Sequence, residues 1–356
     1  MRSIGDILKR QVSKVTIQRR KENAAGFWAG LQKSLIEREA HSEPHRGGLV
    51  ALYRKELADH LDSKRFFLIL LLLFFATTAS LGGALSNLRE VAEESTTFLF
   101  LKMFTTGSST IYSFATFLNF LGPLAGITLG FDAISSERSQ GTLNRLAAQP
   151  IYRDSIIKAK FLAGAAALFL IVACLGAYVS AVGLLMAGIH PSLEEVLRII
   201  AFLMIAWVYI CFWLALAIFF SVICRHAATA ALACISIWLF LSLFMSLVAA
   251  GIANTLFPLE GIQGLMNMES NYNLELGLNR LSPYYLFSEA STTILNPNVR
   301  SIGVVTMSQT VGAIAGPLSL GQSLLLVWPH LVVLVALVIV AFAVSYICFM
   351  RQEIRA

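Results

Sequence analysis

The sequence predicts an all-α membrane protein that crosses the bilayer six times, and two observations support this fold class. Of its 356 residues, 57% are hydrophobic and only 13% are charged, whereas soluble domains are about 45–50% apolar and about 25% charged. The apolar residues also collect into six long, nearly uninterrupted segments. So few charged groups could not cover a water-facing surface. The composition therefore excludes a soluble enzyme, a disordered chain and a nucleic-acid-binding module.

Each of the six segments is long enough to be a transmembrane helix, which needs about 20 mostly apolar residues. The only ionisable side chain of the Lys, Arg, Asp, Glu or His type within them is His330, near the start of the last one. The predicted spans are Phe66–Leu85, Ile111–Phe131, Phe161–Ala187, Ile199–Ile223, Thr229–Gly251 and Leu324–Met350.

The distribution of basic residues predicts the orientation of these spans. Twenty-two of the 27 lysines and arginines lie before the first span, after the second, after the fourth or after the sixth. Cytoplasmic segments carry such an excess of basic residues. Both termini are therefore predicted to be cytoplasmic, and the long 252–323 loop to be external. Within that loop Val304–Leu320 is apolar but broken by glycine and proline, and we expect a re-entrant or interfacial segment there.

The chain is predicted to divide into four parts. Residues 1–48 are a basic, amphipathic N-terminal extension, either a solvated tail or helices that lie on an anionic leaflet or on a partner. Residues 49–65 are expected to form an amphipathic interfacial connecting helix, because leucine and tyrosine recur along it every four residues. The remaining parts are the six-span domain 66–350, with its cytoplasmic loop 132–160 and its external loop 252–323, and the cytoplasmic tail 351–356.

The sequence lacks two features, and their absence restricts which energy source could drive the protein. Carriers and pumps driven by ions keep ionisable residues inside the helix bundle, and the predicted spans hold none at mid-membrane. The sequence also lacks the G-x-x-x-x-G-K-[ST] pattern of a nucleotide-binding loop. An intramembrane enzyme would need a nucleophile next to a base, and the spans offer no such pair. The sequence therefore favours a membrane subunit that is driven by another protein.

The second span carries a face of small residues. Gly122, Gly126 and Gly130 recur every four residues, and Pro123 follows the first of them. Such a face lets two helix backbones approach closely, and an internal proline tends to kink a helix. Two interpretations remain open: tight packing inside one subunit, or a subunit interface or flexing point beside a transport route.

The cytoplasmic loop after the second span is the best candidate for receiving an input. Thr142 is expected to cap a short helix, on which Leu143 and Leu146 would form an apolar edge. Charged residues flank this edge, namely Glu137, Arg138 and Arg145. A short capped helix with an apolar edge suits docking to another protein, although an ordinary charged loop can have the same pattern.

Three stretches resemble the type-2 ABC exporter permeases. The run Glu137…Gly141-Thr142-Leu143…Leu146…Pro150 is similar to the first cytoplasmic loop of that family. The stretch 55–66 resembles its connecting helix, with Lys55-Glu56-Leu57 at the start. The stretch 281–297 resembles the external loop of the branch that includes the nitrous-oxide-reductase maturation permease. The resemblance covers residues 49–356, and residues 1–48 depart from it.

The resemblance implies a dimer, of identical or different permease subunits, that works with two copies of a separate ABC ATPase subunit. ATP and Mg²⁺ would bind to that partner, and this chain would hold no cofactor, no metal and no catalytic residue. The coupling residues carried over are Glu137, Arg138, Gly141, Thr142, Leu143, Arg145 and Leu146. Those of the connecting helix are Lys55, Glu56, Leu57 and Arg65. The second and fifth spans would border the transport route. The residues assigned to helix packing or to this route are Gly122, Pro123, Gly126 and Gly130. In the alternative of a mechanotransmitter, the external loop would contact a partner through Ser282, Pro283, Glu289 and Pro297.

Together these features predict a multi-pass permease of the bacterial inner membrane that exports an amphipathic or lipid-like substrate, since the lining is uncharged. The alternative is a mechanotransmitter or assembly platform, in which the external loop grips an extracytoplasmic partner and no cargo crosses. Neither function involves nucleic acid. Copper handling has no support, because the sequence shows no ladder of Cys, His and Met residues.

Overall fold

The computed structural model describes residues 44–94, 98–107, 111–141, 152–186, 188, 190–299 and 317–352. The chain divides into two units, Met1–Gly48 and Leu49–Ala356. Only residues 44–48 of the first unit are described, and they begin helix α1. The predicted amphipathic blocks of the extension and most of the predicted Val304–Leu320 segment lie outside the described residues.

All regular secondary structure in the described ranges is helical, and they contain no strand. The helices are α1 (Pro44–Leu61), α2 (Lys64–Glu94), α3 (Leu99–Thr105), α4 (Phe114–Gly130), α5 (Ser135–Ser139), α6 (Arg153–Met186), α7 (Leu193–Ile223), α8 (Ala227–Leu239), α9 (Met245–Leu256), α10 (Gly261–Asn279), α11 (Pro283–Leu295) and α12 (Leu320–Arg351). A π-helical segment, Phe240–Phe244, joins α8 to α9.

The structure confirms the all-α class and the six spans. In the part of the chain that the structure describes, six helical stretches are long and apolar enough to cross a membrane: Lys64–Asn87, Phe114–Ser139, Arg153–Met186, Leu193–Ile223, Ala227–Leu256 and Leu320–Arg351. Several extend beyond the predicted apolar segments, because a helix can continue into polar sequence as long as its ends are satisfied. The fourth span begins earlier than predicted for this reason: Ser192 and Glu195 form a capping box at its start.

Helix α7 lies at the centre of the fold and packs against α4, α6, α11 and α12. Its large aromatic side chains fill the core, and Phe202, Tyr209 and Trp213 are fully buried. Around them Phe202 stacks on Phe287 of α11 with a centroid distance of 6.0 Å. The fourth span is therefore the element that fixes the positions of the others.

The glycine face of the second span packs against α7 within the same subunit. A Cβ atom placed on Gly126 would lie 2.6 Å from the Ile210 carbonyl oxygen, and one on Gly130 would lie 2.9 Å from that of Leu214. Gly122 meets the Ile210 side chain in the same way, at 3.0 Å. Of the two interpretations of this face, the structure shows tight packing inside one subunit.

Replacing Gly126 by alanine is expected to destabilise the protein by about 1–3 kcal/mol, because the added methyl group overpacks a helix crossing that cannot relax without moving backbone. Equilibrium unfolding in mixed micelles measures the change. Gly82→Ala is the matched control, since it also lies in a span and nothing is within 4 Å of its added Cβ. Equal stabilities of the two variants would contradict the close-packing account.

The region between the fifth and sixth spans contains a helical hairpin that returns into the depth of the bundle. At the turn between α10 and α11 the Ser282 hydroxyl donates to the Leu241 carbonyl, at 2.7 Å, near the middle of the fifth span. One turn later Phe287 stacks on Tyr209, near the middle of the fourth span, with centroids 4.7 Å apart. The far end of α11 reaches the start of the fourth span, where Arg198 binds the Ile294 carbonyl at 2.9 Å.

This hairpin belongs to the 252–323 loop, which the sequence predicts to be external. Its turn lies beside the middle of two spans, although the sequence suggested a re-entrant segment further along, at Val304–Leu320. The physical reason is that α10 and α11 contain too many polar residues to register as apolar segments. Some of their polar side chains bond to neighbouring elements: Asn271 donates to Asn254 and to the Phe257 carbonyl, and Ser282 donates to the Leu241 carbonyl.

Candidate functional site: the charged end of the helix bundle

A buried lysine links three parts of the chain at the end of the bundle where the first span begins. The Lys160 ammonium group donates to Glu56 Oε2 at 2.9 Å and to Glu137 Oε1 at 2.7 Å. The side chain of Lys160 is only 5% exposed. Since a buried charge is costly unless it is paired, this cluster holds α1, α5 and α6 together.

Local sequence explains how each of the three residues arrives there. Lys160 lies in the polar first turns of α6, where its neighbours Ile156 and Ala159 are fully buried. Glu56 lies one turn after Leu52 on α1, so the two share a helix face, and both are buried. Glu137 belongs to α5, which follows the end of α4 after a single turn. The Lys160 cluster, Glu56–Lys160–Glu137, is therefore set by helix packing rather than by one local motif.

The Glu56 carboxyl stays ionised at neutral pH. Burial is the largest influence and would raise the pKa of Glu56, but the charges and hydrogen bonds of Lys160 and then Lys55 together hold it below its usual 4.5. A carboxyl with a lowered pKa contributes stability that is fully present above the unfolded-state pKa and is lost as the pH falls through the folded-state value. The contribution of the Glu56 carboxylate to the Lys160 cluster is thus present at neutral pH and is lost in acid.

The short helix α5 is also fixed to the end of the fourth span. The backbone N–H groups of Ile134 and Ser135 both donate to the Ser221 hydroxyl, at 2.9 and 3.0 Å. Ser221 is fully buried, so its hydroxyl satisfies two backbone donors at the start of α5 that the helix itself leaves unpaired.

Arg138 extends this attachment to the end of the sixth span. Its guanidinium donates to the Val222 carbonyl at 3.0 Å and to the Gln352 side chain. Gln352 in turn donates to the same Val222 carbonyl, at 2.8 Å. On the adjacent helix Arg153 donates to the Gln352 carbonyl, at 2.9 Å. The ends of the second, third, fourth and sixth spans therefore share one polar network.

Three ion pairs, each with at least one well-exposed partner, lie at the edge of this network. Arg65, at the start of the first span, pairs with Asp132 and places its guanidinium 5.3 Å from the centre of the Phe131 ring. On α1, Lys55 pairs with Glu56 at 3.2 Å and with Asp59 at 3.1 Å. Exposed pairs contribute little stability, so the buried Lys160 cluster is the strong connection.

The structure thus brings together part of the set of residues that the sequence singled out. Glu137 and Arg138 lie in the network, with Lys55, Glu56 and Arg65 beside them, and Leu57 packs against the core. Gly141 is exposed and has a left-handed φ of 69°. The other four coupling candidates, Thr142, Leu143, Arg145 and Leu146, lie outside the described residues.

Sequence reasoning missed the residues that complete the network. Lys160 counted only as a marker of orientation, and Asp132, Ser221 and Gln352 were given no role. One signal was present: Lys160 directly precedes an apolar segment and follows two buried isoleucines on the same helix. A lysine at this position can reach water only if its face of the helix is exposed. In α6 that face packs inward, so the Lys160 side chain is buried.

The four residues predicted to contact an external partner face inward. Ser282 is 1% exposed, and Pro283 and Pro297 are also buried. The Glu289 carboxylate, 13% exposed, pairs with Arg280 at 2.9 Å and with His330 at 2.6 Å. In this structure these side chains make contacts within the chain that hold the α10–α11 hairpin in place.

A second polar cluster joins the α10–α11 hairpin to the sixth span. Arg280 and Glu289 belong to the hairpin, which a search for spans passes over, and His330 lies one-third of the way along α12. Glu289 bridges the other two. The Arg280 and Glu289 charges are paired with each other, as charged groups in a membrane protein interior usually are.

Within the described ranges no three His, Cys, Asp or Glu side chains are arranged to hold a metal ion. The arrangement at the charged end is suited to mechanical transmission, because paired charges and backbone hydrogen bonds join the ends of several helices. A displacement of α5 would be transmitted to α1 and α6 through Lys160. It would be transmitted to α7 and α12 through Arg138.

Six apolar helices with a polar network at one end define a multi-pass membrane protein. The model of the family described as ABC-2 family transporter protein matches residues 50–354. The chain therefore belongs to the ABC-2 transporter family and is the non-catalytic membrane component of an ABC transporter. No curated protein matches the sequence significantly.

Proposed function

We propose that this chain is the permease subunit of an ATP-driven exporter in the bacterial cytoplasmic membrane, and that a separate ATPase subunit docks on the loop 132–160. The observation that supports this most directly is the Lys160 cluster, which joins the loop to α1 and to the third span. Docking of a partner on the loop would have little effect on the spans if the loop made no contacts with them. Here its first helix, α5, is tied to four helix ends.

The proposed mechanism is a shift in population between two arrangements of the helices. The ATP-bound partner binds one arrangement more tightly, and hydrolysis releases it. Through Glu137 the force reaches Lys160 and Glu56, so that α1 and the third span move with α5. Arg138 carries the same displacement to the fourth and sixth spans.

A second permease subunit is proposed to pack on the fifth span. This span and the sixth are the least buried of the six, and the fifth shows a broad face of large apolar side chains. Leu232 is 64% exposed, Phe244 53% and Leu247 68%. A second copy of the chain would cover this face, in keeping with the membrane dimer that the family implies.

The cargo is proposed to be amphipathic or lipid-like, because apolar side chains dominate the spans. The resemblance of 281–297 to the nitrous-oxide-reductase maturation branch supports placement near that branch. The alternative function, a mechanotransmitter that acts on an extracytoplasmic partner, is favoured by one observation. Helix α10 exposes Met266 (82%) and Met268 (65%), which could serve a protein contact.

Charge reversal at the loop tests the docking proposal. Glu137→Lys removes the ion pair with Lys160 and sets two cations together, and Leu143→Asp places a charge on the predicted apolar edge. We expect each variant to lower the amount of ATPase subunit that co-purifies from native membranes, and its ATP turnover, by at least about tenfold, since about 1.4 kcal/mol corresponds to each factor of ten.

Glu269→Lys is the matched control for charge, because Glu269 is an exposed carboxylate on α10, away from the network. It should retain the partner and its turnover. Size-exclusion profiles of each variant check that the permease is folded. A folded Glu137→Lys and a folded Leu143→Asp that both keep normal ATPase binding and turnover would overturn the proposal.

A further inference from the structure

A small polar cavity lies where three helices meet near the start of the second span. Its volume is about 200 Å³, and it is enclosed by the end of α3, the start of α4 and one face of α11. On α11 the lining positions are Ser288, Ser291, Thr292 and Leu295, whose spacing is that of one helix face. Among the described residues, no charged side chain lines this hydroxyl-lined cavity.

Three of the six hydroxyl groups that line the cavity donate their protons to backbone carbonyls. Ser291 and Thr292 both donate to the Ser288 carbonyl, at 3.0 and 2.8 Å. Thr105 donates to the Leu101 carbonyl, at 3.4 Å. A hydroxyl that donates its one proton to the backbone keeps its lone pairs as acceptors. These three oxygens therefore face the cavity as acceptors.

Hydrogen-bond donors are also present on the wall. The Asn296 side-chain oxygen accepts from the Asn298 backbone N–H, at 3.1 Å, which leaves its amide NH₂ group free to donate. Ser113 and Thr116 share one hydrogen bond at 3.0 Å, and the Thr116 N–H donates to the Ser113 hydroxyl. Since two hydroxyl groups share that one bond, one proton of the pair remains to be donated. The cavity therefore combines several acceptors with a few donors.

This pattern selects one ligand chemistry. A phosphate or carboxylate would meet acceptor oxygens and no cation. An ammonium group would face the Asn296 NH₂ group, and a divalent cation would lack the carboxylates it prefers. A sugar hydroxyl both donates and accepts, and it carries no charge to be compensated.

We propose that the hydroxyl-lined cavity is a binding site for a neutral sugar ring. The sugar could come from the headgroup of a glycolipid or from free solution, and both sources present the same hydroxyl groups. The site needs neither the ATPase partner nor transport, so it stands apart from the proposed coupling function.

Saturation-transfer NMR on the full chain in phosphatidylcholine nanodiscs tests the site. The probes are methyl β-D-glucopyranoside, which is freely soluble, and octyl β-D-glucopyranoside, which inserts into the bilayer as a glycolipid does. We expect saturable binding of at least one of them. Binding of both assigns free sugar as a sufficient source, and binding of the octyl glycoside alone assigns a membrane glycolipid.

Two variants locate the binding. Thr292→Val and Ser291→Ala each remove one acceptor, and we expect the affinity to fall by about threefold to tenfold, the effect of one neutral hydrogen bond. Thr255→Val is the matched control, because Thr255 is also an exposed threonine that donates to the carbonyl four residues earlier, at 2.7 Å.

Three results would overturn the proposal. The first is the absence of saturable binding of either glycoside. The second is an unchanged affinity: if Thr292→Val and Ser291→Ala bind the glycoside as tightly as the control Thr255→Val, the sugar lies elsewhere. The third is tighter binding of ethylammonium or methyl phosphate than of both glycosides, which would assign a charged ligand.

Discussion

Replacing Lys160 by methionine is expected to destabilise the protein by about 3 kcal/mol and to uncouple ATP turnover from the permease. Removing one partner from a buried ion pair typically costs about 3–5 kcal/mol, because the charge left behind has lost its compensation. Here two carboxylates would remain, Glu56 and Glu137, with side chains 8% and 20% exposed. Equilibrium unfolding in mixed micelles and ATP turnover of the complex measure the two effects.

Lys158→Met provides the control, two residues away on the same helix. Lys158 pairs with Asp154 at 2.7 Å, but both side chains are well exposed, at 44% and 29%. We expect a change of less than about 1 kcal/mol. Adding Glu56→Gln and Glu137→Gln to Lys160→Met should restore most of the lost stability, since no buried charge remains. Equal stability losses for Lys158→Met and Lys160→Met would show that the Lys160 cluster stabilises the protein no more than an exposed ion pair does.

Replacing Arg198 by methionine is expected to produce a similar loss, about 3 kcal/mol, at the opposite end of the bundle. Arg198 is fully buried. It donates to the carbonyls of Ile294 at 2.9 Å and Leu318 at 2.6 Å and to the Ser323 hydroxyl at 3.1 Å. Methionine fills similar space but leaves the buried Ile294 carbonyl and the partly buried Leu318 carbonyl without this donor, and an unpaired buried carbonyl costs about 1–3 kcal/mol. Unfolding equilibria measure the total.

Hydrogen exchange shows where the Arg198 effect is felt. We expect faster exchange in α11 and at the start of α12, because Arg198 joins these elements to the fourth span. Glu194→Gln is the control: Glu194 also pairs with Arg198, at 2.9 Å, but its side chain is 38% exposed, so its ion pair contributes less than about 1 kcal/mol. Unchanged exchange in α11 of Arg198→Met would refute the role of this arginine as the link.

Much of the architecture could be predicted from the sequence because the bilayer imposes a simple rule on length and polarity. A run of about 20 apolar residues must become a spanning helix, and the six spans followed from that rule. The glycine pattern of the second span likewise required a close helix neighbour. The glycine pattern could not identify Ile210 and Leu214 as the residues of that neighbour, since many apolar helices present similar surfaces.

The candidate site was predicted only in part. Glu137 and Arg138 were found because they belong to a recognisable local pattern in one loop. Lys160, Ser221 and Gln352 were not, because each is ordinary in its own segment and acquires a role only through residues more than 20 positions away. The α10–α11 hairpin was missed for the same reason, since its polar residues do not show which neighbours satisfy them.

The sequence by itself determined the class of the protein, the number of its spans and the segments that must lie in lipid, because those depend on the transfer free energy of each segment alone. Only the tertiary structure decided which charges are buried, which helices the glycines join and how deep the hairpin reaches. Those outcomes depend on pairs of groups that meet when the helices pack, and the free energy of a buried charge is set by its partner rather than by its place in the chain.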